Sequence, residues 1–493
     1  MSQVMSTAQN GDADAARTRS ALMSGWGLTN PTRADLTPRT NDAAQATTPE
    51  ATFRHERGVV ARGLGRSYND AAQNAGGVVS VGEADAGIEI DPNTGITEVR
   101  SGTSLERLLE AAVPQGWFVP VIPGTRHVTV GGMIAADIHG KNHHGEGSLG
   151  RHLRAITLDA PVGQRRLRPD DADPSNVAQF WATTGGMGLT GIIRSAEMQL
   201  IPIETALMRV DTHKFANLDD LICHLRHDNN RYSVAWVDAS ARGQSLGRAV
   251  VTSGEHATRA ELPHRMSRRN PTLRFSNGIS VPRSPLNVIG PSTTAAFNEL
   301  WFRHAPRQRI GELQSIARFF HPLDGLRQWN RLYGPRGLLQ WQCAVPLEAD
   351  HVLRLALERL AAARLVSPMV ILKRFGSANP APMSFPIPGW TLAIDLPAGP
   401  DSEPVLDALD DAVVEAGGRL YLAKDARMRP SHLATMYPRI DDWRETCDQL
   451  DPQRAMRSDL DRRLDLRGRE PHHPSSTAHH RKTPAPATLT GTP

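Results

Sequence analysis

An α+β fold in two domains is the class that this 493-residue sequence predicts, on three observations. Up to residue 202, short apolar runs alternate with glycine clusters and are interrupted by single helical segments. From 203 to 418, strands and amphipathic helices follow one another in an order that suits an antiparallel sheet flanked by helices. Residues 419–469 then give one more strand and a set of polar helices, and no internal repeat marks a solenoid or propeller.

The elements read in order as follows. Residues 1–20 and 470–493 are expected to be solvated tails; the second, EPHHPSSTAHHRKTPAPATLTGTP, has a single Leu to bury. GVVARGLG, GGVVSV, GIEIDP and GITEVRSG read as short strands separated by turns. SLERLLEAAVPQG is a helix, with Ser104 as its N-cap and Gly116 as its stop. MRVDTHKFANLDDLICHLRHDNN predicts a strand and then a helix, and RYSVAWVDAS and SLGRAVVTSG are strands. Residues 254–290, rich in Arg, Pro, Ser and Asn, predict a long loop, and the wider stretch 265–300 reads at least equally as a mobile lid or irregular loop and as a contact with a membrane surface. GLLQWQCAVP, PMVILKRFG, GWTLAIDLP and RLYLAKD complete the strands, DHVLRLALERLAAARL is a strong helix, and DDWRETCDQLD is a polar one.

Composition excludes several classes. A formal charge of +4 over so long a chain argues against a nucleic-acid binder built on a basic surface. Three widely separated cysteines fit neither a disulfide framework nor a zinc ribbon. No run of about 18 apolar residues predicts a membrane span, and the polar N-terminus lacks a secretory pattern. The expected place of synthesis is therefore the cytoplasm. Only five of the 56 basic residues are lysine: Lys141, Lys214, Lys373, Lys424 and Lys482. A lysine kept where arginine is the rule marks a candidate for chemistry that needs a tunable amine.

Three segments concentrate glycine. In Ala61-Arg-Gly-Leu-Gly-Arg-Ser-Tyr-Asn-Asp70, Gly63 and Gly65 let the backbone turn tightly and aim N–H groups at an anion. Position 68 is Tyr, so the G-x-G-x-x-G dinucleotide pattern is absent, and no phosphate loop of the G-x-x-x-x-G-K-[ST] kind occurs. In the segment from Pro123 to Gly147, Gly131 and Gly132 open an apolar helical turn, Met133 to Ala136, whose start could hold a phosphate. His139 and His143 lie four apart, but the glycines at 140, 145 and 147 argue against a helix between them, and no metal is expected. Thr184-Gly-Gly-Met-Gly-Leu-Thr-Gly191 suits close backbone approach to a planar ligand.

Together these segments resemble the flavin-contacting loops of the vanillyl-alcohol-oxidase (PCMH-type) FAD enzymes. The resemblance narrows through RGLGRSYNDAAQNAGG, GTRHVTVGGMIAADIHGKNHHGEGSLGRH, NRLYGPRGLLQWQ, LKRFG with SFPIPGWTLAIDLP, and RLYLAKDAR with MYPRIDDW. From about Trp26 to Leu466 the chain is similar to the family of decaprenylphosphoryl-β-D-ribose 2-oxidases, the flavin subunits of an epimerase that serves the arabinan of actinobacterial cell walls.

That resemblance implies an FAD-binding domain over 21–202, a substrate domain over 203–418, and a segment 419–469 that completes the first. It implies a pyrophosphate loop made by Ala61, Arg62, Gly63, Leu64, Gly65, Arg66, Ser67, Tyr68, Asn69, Asp70 and Ala71. Gly124, Thr129, Val130, Gly131, Gly132, Ala136, Asp137, Ile138, His139, Ile192 and Tyr421 would line the rest of the FAD. The loop offers neither His nor Cys, which implies a non-covalent cofactor. Tyr68, Lys141, Trp236, Gln340, Gln342, Lys373, Phe375, Thr391, Ala393 and Lys424 would meet the substrate, a polyprenylphosphoryl-β-D-ribofuranose oxidised at its 2-hydroxyl. Lys424 is implied as base or polariser of the alkoxide, and His139 as a second group for proton handling or positioning. An NAD-dependent short-chain reductase would complete the epimerisation. The resemblance adds peripheral association with the cytoplasmic or periplasmic face of the inner membrane as the expected location. Inhibitor-sensitive members carry cysteine at the position of Ala393, where nitroaromatic inhibitors attach; alanine cannot form that bond. The alternatives are another FAD-dependent sugar or polyol oxidase of the same fold, or a paralogue acting on a related polyprenyl-phosphate sugar.

Overall fold

A computed structural model describes residues 19–39, 52–82, 87–267, 271–275, 278–283 and 288–468; the expected tail 470–493 lies outside them. Its organising element is an eight-stranded sheet whose pairings are all antiparallel, running in space through 308–315, 207–215, 249–256, 232–237, 370–375, 389–397, 338–345 and 419–420. Side chains alternate along each strand, so register assigns every residue to a face. Val237, Leu372, Leu392, Ile394 and Cys343 bury one face against the helices Leu218–His227, His351–Ala362 and Glu403–Glu415. On the other face Ile371 pairs with Ala393 and Trp236, Lys373 with Thr391, and Gln340 with Asp395. That second face looks into the functional cleft.

Two four-stranded sheets build the glycine-rich part. One joins 19–23, 32–39, 77–81 and 59–62, and the other joins 96–100, 192–199, 153–160 and 163–167. The helix Leu105–Ala112 starts as expected, with the Ser104 hydroxyl accepting from the Arg107 N–H (3.3 Å), and its exit ends at Gly116, φ +81°. Buried leucines on that helix pack with Phe118, Met133, Ile156 and Phe180 in a second core.

Five sequence expectations change. The chain is already a strand at Arg19, inside the expected tail, because 19–23 has an antiparallel partner in 32–36. GIEIDP forms only an isolated bridge, Ile90 to Thr97. The helical turn of the second glycine segment begins at Val130 rather than at Gly131 or Met133, because Thr129 caps it: its hydroxyl accepts from the Gly132 N–H at 3.2 Å. RLYLAKD is a strand only over Arg419–Leu420. Beyond it the Lys424 and Asp425 N–H groups turn back on the Tyr421 carbonyl (2.9 and 3.0 Å), and the Ala423 carbonyl accepts from the Tyr68 N–H (3.1 Å). Finally, the stretch 265–300, read as loop, contains the start of a 14-residue helix, Pro291–His304; Pro at its first turn is favourable.

Candidate functional site

A cleft of about 350 Å³ opens between the cleft face of the large sheet and the glycine-rich loops. The loop at 61–71 forms one wall. Gly65 takes φ +63°, and a Cβ on Gly63 would meet the Thr129 hydroxyl at 2.3 Å, so only glycine lets these two segments touch. The N–H groups of Leu64, Gly65, Arg66 and Ser67 donate to no acceptor among the described residues. A run of unpaired backbone donors at a cleft wall is the arrangement that receives an anion. Cβ atoms on Gly124 and Gly188, which also line the cleft, would project into open space.

The cleft's titratable group is centred on Lys424. Its Nζ lies 3.7 Å from the centroid of the Tyr68 ring. Burial, aided by the charge of Lys373, pushes its amine down to about 7, against the opposing pull of Asp395. Burial raises the Asp395 carboxyl to about 6, and Lys424 and a hydrogen bond from the Gln340 amide oppose that rise. Lys373 is lowered to about 8 by burial. Three amine or carboxyl groups thus titrate near neutrality within one enclosed space, the pattern expected of a site that moves protons.

His139 has a different character. Its Nε2 accepts from the Gln342 amide at 3.0 Å, while Gln342 also donates to the Thr391 hydroxyl at 3.1 Å. Phe375, Phe385 and Tyr421 surround the ring, with centroids at 4.9, 5.5 and 5.3 Å. Burial and then the charge of Lys373 hold its pKa well below the ordinary value. The ring is therefore neutral, with its proton on an Nδ1 that has no partner. That orphaned donor and the unpaired loop N–H groups are what a phosphate-bearing planar cofactor in the cleft would satisfy.

Of the residues named from sequence, Ala61, Gly63 to Tyr68, Ala71, Gly124, Thr129, Gly131, Gly132, Ala136, Ile138, His139, Gln340, Gln342, Lys373, Ala393, Tyr421 and Lys424 line the cleft. Others do not reach it. Arg62 donates to the carbonyls of Ala72 (3.0 Å) and Ser24 (2.7 Å). The Asn69 amide holds the carbonyls of Leu422 (2.6 Å) and Asp425, and Asp70 receives both arms of Arg463 (2.9 and 3.0 Å). Val130 and Ile192 are core residues. Asp137, at φ +39°, accepts from Ser148 (2.8 Å), the Gly150 N–H (2.9 Å), Asn379 (2.7 Å) and Ser384, so it ties the helix end to the 376–388 segment. Lys141 turns away: its ammonium donates to the Phe319 carbonyl and sits 4.2 Å from that ring. Trp236 and Thr391 stand on the cleft face beyond the wall, and Phe375 backs His139 and His143 (4.9 and 4.4 Å).

Sequence reading missed Asp395, Asp324, Trp26 and Trp329, all on the cleft wall. Asp395 was legible by alternation, since 391, 393 and 395 share a face of GWTLAIDLP. Trp26 stacks under the Arg66 guanidinium (3.9 Å) and edge-on to Trp329 (5.9 Å), contacts between distant segments with no local signal.

Comparison with known proteins agrees with this site. Residues 32–166 match the family described as FAD binding domain. The chain is 39% identical over 456 residues to the decaprenylphosphoryl-β-D-ribose oxidase of Mycolicibacterium smegmatis, spanning 91% of this chain and 98% of that protein. It is 40% identical over 374 residues to an uncharacterized protein of Streptomyces coelicolor, 74% of this chain and 100% of the other. A stretch of 146 residues, 28% of this chain, is 26% identical to 24% of L-gulonolactone oxidase 3 of Arabidopsis thaliana. Fold, cleft and matches define an FAD-dependent oxidoreductase of the PCMH type acting on CH–OH groups. Within that class, the chain belongs to the decaprenylphosphoryl-β-D-ribose oxidase family.

Proposed function

We propose that the protein oxidises the 2-hydroxyl of a polyprenylphosphoryl-β-D-ribofuranose to the 2-keto sugar. The observation that carries this reading is Lys424, a buried amine in the cleft with its pKa brought to about 7. Removing hydrogen from a secondary alcohol requires an acceptor for the carbinol hydrogen with its electron pair and a base for the hydroxyl proton. FAD, when bound, supplies the first. Lys424 supplies the second: near neutral pH a large fraction of its amine is unprotonated and can take the hydroxyl proton. Asp395, beside it, accommodates the ammonium that results.

Residues 61–71 would cradle the FAD pyrophosphate with free N–H groups, and Gly131, Gly132, Ala136, Ile138 and Tyr421 would border the ring system. Because residues 61–71 contain neither His nor Cys, FAD is held non-covalently. Residues 21–202 with 419–469 act as the FAD-binding unit, and 203–418 as the substrate unit. Asn69, held on the carbonyls of 422 and 425, and Asp70, held by Arg463, support the assignment of 419–469. His139 positions the reactants with its Nδ1–H rather than accepting a proton. Lys373 and Arg66 supply positive charge for the phosphates. The keto sugar is handed to an NAD-dependent reductase, completing an epimerisation that feeds arabinan synthesis. The enzyme meets its lipid substrate as a peripheral protein: among the described residues no helix is long and apolar enough to cross a membrane.

Ala393 favours a second reading, a paralogue acting on a related polyprenyl-phosphate sugar, because it alters the cleft wall directly between Ile371 and Gln342. Anaerobic mixing of holoenzyme with prenylphosphoryl-ribose and its arabino and xylo analogues separates the two. Rapid bleaching of the flavin by the ribo compound alone supports the main reading. Faster bleaching by another sugar overturns it.

A further inference from the structure

The helix Pro291–His304 is built inside out. Its buried positions are polar, Thr294 and Asn298, and its exposed ones include Phe297 (48% exposed), Leu300 (57%) and Trp301 (52%). Those three are spaced i, i+3 and i+4 and therefore form one stripe. The polar side explains how the helix is held. The Asn298 amide donates to Asp238 (2.9 Å) and to the Ser367 carbonyl (3.1 Å). Arg248 joins Asp238 to Glu299. Nothing among the described residues covers the apolar stripe, whose rings stack on each other: Phe297 and Trp301 lie 6.2 Å apart at 20°. Single exposed apolar residues need no explanation, but a contiguous aromatic stripe on a rigidly anchored helix does.

The charge around the stripe is basic. Arg303, 74% exposed on its side chain, His304, Arg307 and Arg309 follow directly, and Lys214 reaches the Arg303 carbonyl at 3.4 Å. Glu299 is engaged by Arg248 and Arg303. A stripe of two aromatic rings and a leucine, with arginines at and beyond the helix C-terminus, pairs apolar area for a headgroup boundary with charge that anionic lipid attracts. The place of this helix adds direction. Trp301 packs against Trp236 with centroids 6.4 Å apart, and Trp236 is the cross-strand neighbour of Ile371 on the cleft wall. The apolar stripe thus continues across one sheet face into the cleft.

We propose that Phe297, Leu300 and Trp301, with Arg303, Arg307 and Arg309, form the surface by which this protein docks on an anionic lipid bilayer, seating the mouth of the cleft at the membrane. That the cleft so seated receives a lipid-linked sugar rests on the proposed function; the docking itself does not.

The test uses full-length holoenzyme and extruded vesicles of phosphatidylcholine alone or with about one quarter phosphatidylglycerol. The protein should co-sediment with the anionic vesicles, and raising the salt, which screens exposed charge, should weaken the binding. F297S/L300S/W301S and, separately, R303E/R307E/R309E should each lower partitioning about tenfold or more while keeping FAD content and Tm near those of the parent. Because these side chains are exposed, folding should survive; a lone W301S variant with tryptophan emission as readout covers the case where the triple variant does not fold. In wild type, emission should shift to the blue on anionic vesicles, and W301S should lose most of that shift. Two turnover arms separate the readings. The triple apolar variant should turn over a water-soluble short-prenyl substrate as the parent does, but fall about tenfold on long-prenyl substrate presented in vesicles. If no sugar is oxidised, the proposed function fails while the vesicle result still decides the docking surface. Absent vesicle binding, binding unchanged in both triple variants, or a dimer that the apolar variant dissociates would each overturn the proposal.

Discussion

The Lys424 ammonium sits over the face of Tyr68, 3.7 Å from its centroid, so an amine from the C-terminal segment is seated on a ring from the glycine loop more than 350 residues earlier. The ring face favours the charged amine, as Asp395 does, while burial and Lys373 oppose it. The balance leaves the group titrating near pH 7, where a base is most useful.

Lys424→Arg and Lys424→Met should therefore keep FAD but lose turnover by about 10²–10⁴-fold. Flavin absorbance after gel filtration reports the first, and the rate of flavin bleaching under substrate the second. Loss of FAD together with activity would instead make Lys424 a cofactor-binding residue.

With Lys424 as base, its neutral form is the active one, so kcat/KM should rise with pH through about 7 and that limb should vanish in Lys424→Arg. Asp395→Asn removes a negative charge that holds the proton on the amine, so the amine's pKa should fall and the limb should move to lower pH. Activity that fell, rather than rose, with pH through about 7 would show that Lys424 works protonated.

Asp137 was expected beside the cofactor, but it is a buried junction with four donors. Asp137→Ala leaves those donors unpaired and should cost about 3 kcal/mol of stability, read as a lowered urea midpoint. Asp137→Asn, which tolerates positive φ and keeps one carbonyl acceptor, should cost less.

Ala393 lies on the cleft wall, and its Cβ shares the face of Gln342. Wild-type protein should show no adduct with nitroaromatic inhibitors of this family by intact-mass spectrometry, whereas Ala393→Cys should gain one adduct per chain and be inactivated over time. Because the substitution is small, its turnover before inhibitor should stay within a few-fold of wild type.

Acid stability tests the buried imidazoles. Burial lowers His143, His256 and His321 each to about 3. Below the unfolded value near 6.5, the unfolded chain takes up protons that the folded one refuses. Stability should therefore fall as pH drops below 6.5, by up to about 1.4 kcal/mol per pH unit for each histidine. Midpoints of urea unfolding between pH 7.5 and 5 measure the slope, and His256→Gln should flatten it by one proton's worth.

Most strands of the large sheet, though not the edge strand at 308–315, were legible in the sequence, as were the capped helix at 105–112 and the glycine loops, because each is fixed by local terms: alternation, cap chemistry and the need for positive φ. The family resemblance marked Lys424, Lys373 and His139, through motifs that are short and contiguous. It could not tell that Lys141 buries its amine against Phe319. Nor could it show that the strand at 419 stops after Leu420 so that Ala423 can bind Tyr68, or that 291–304 is a helix with its polar side inward. In each of these the deciding partner lies far away in the chain, and only the register of the sheet and the packing of its faces bring the two together. Sequence by itself determined which residue types could do the chemistry. Tertiary structure decided their charge states, because burial beside Asp395 and Lys373 sets whether Lys424 holds a proton.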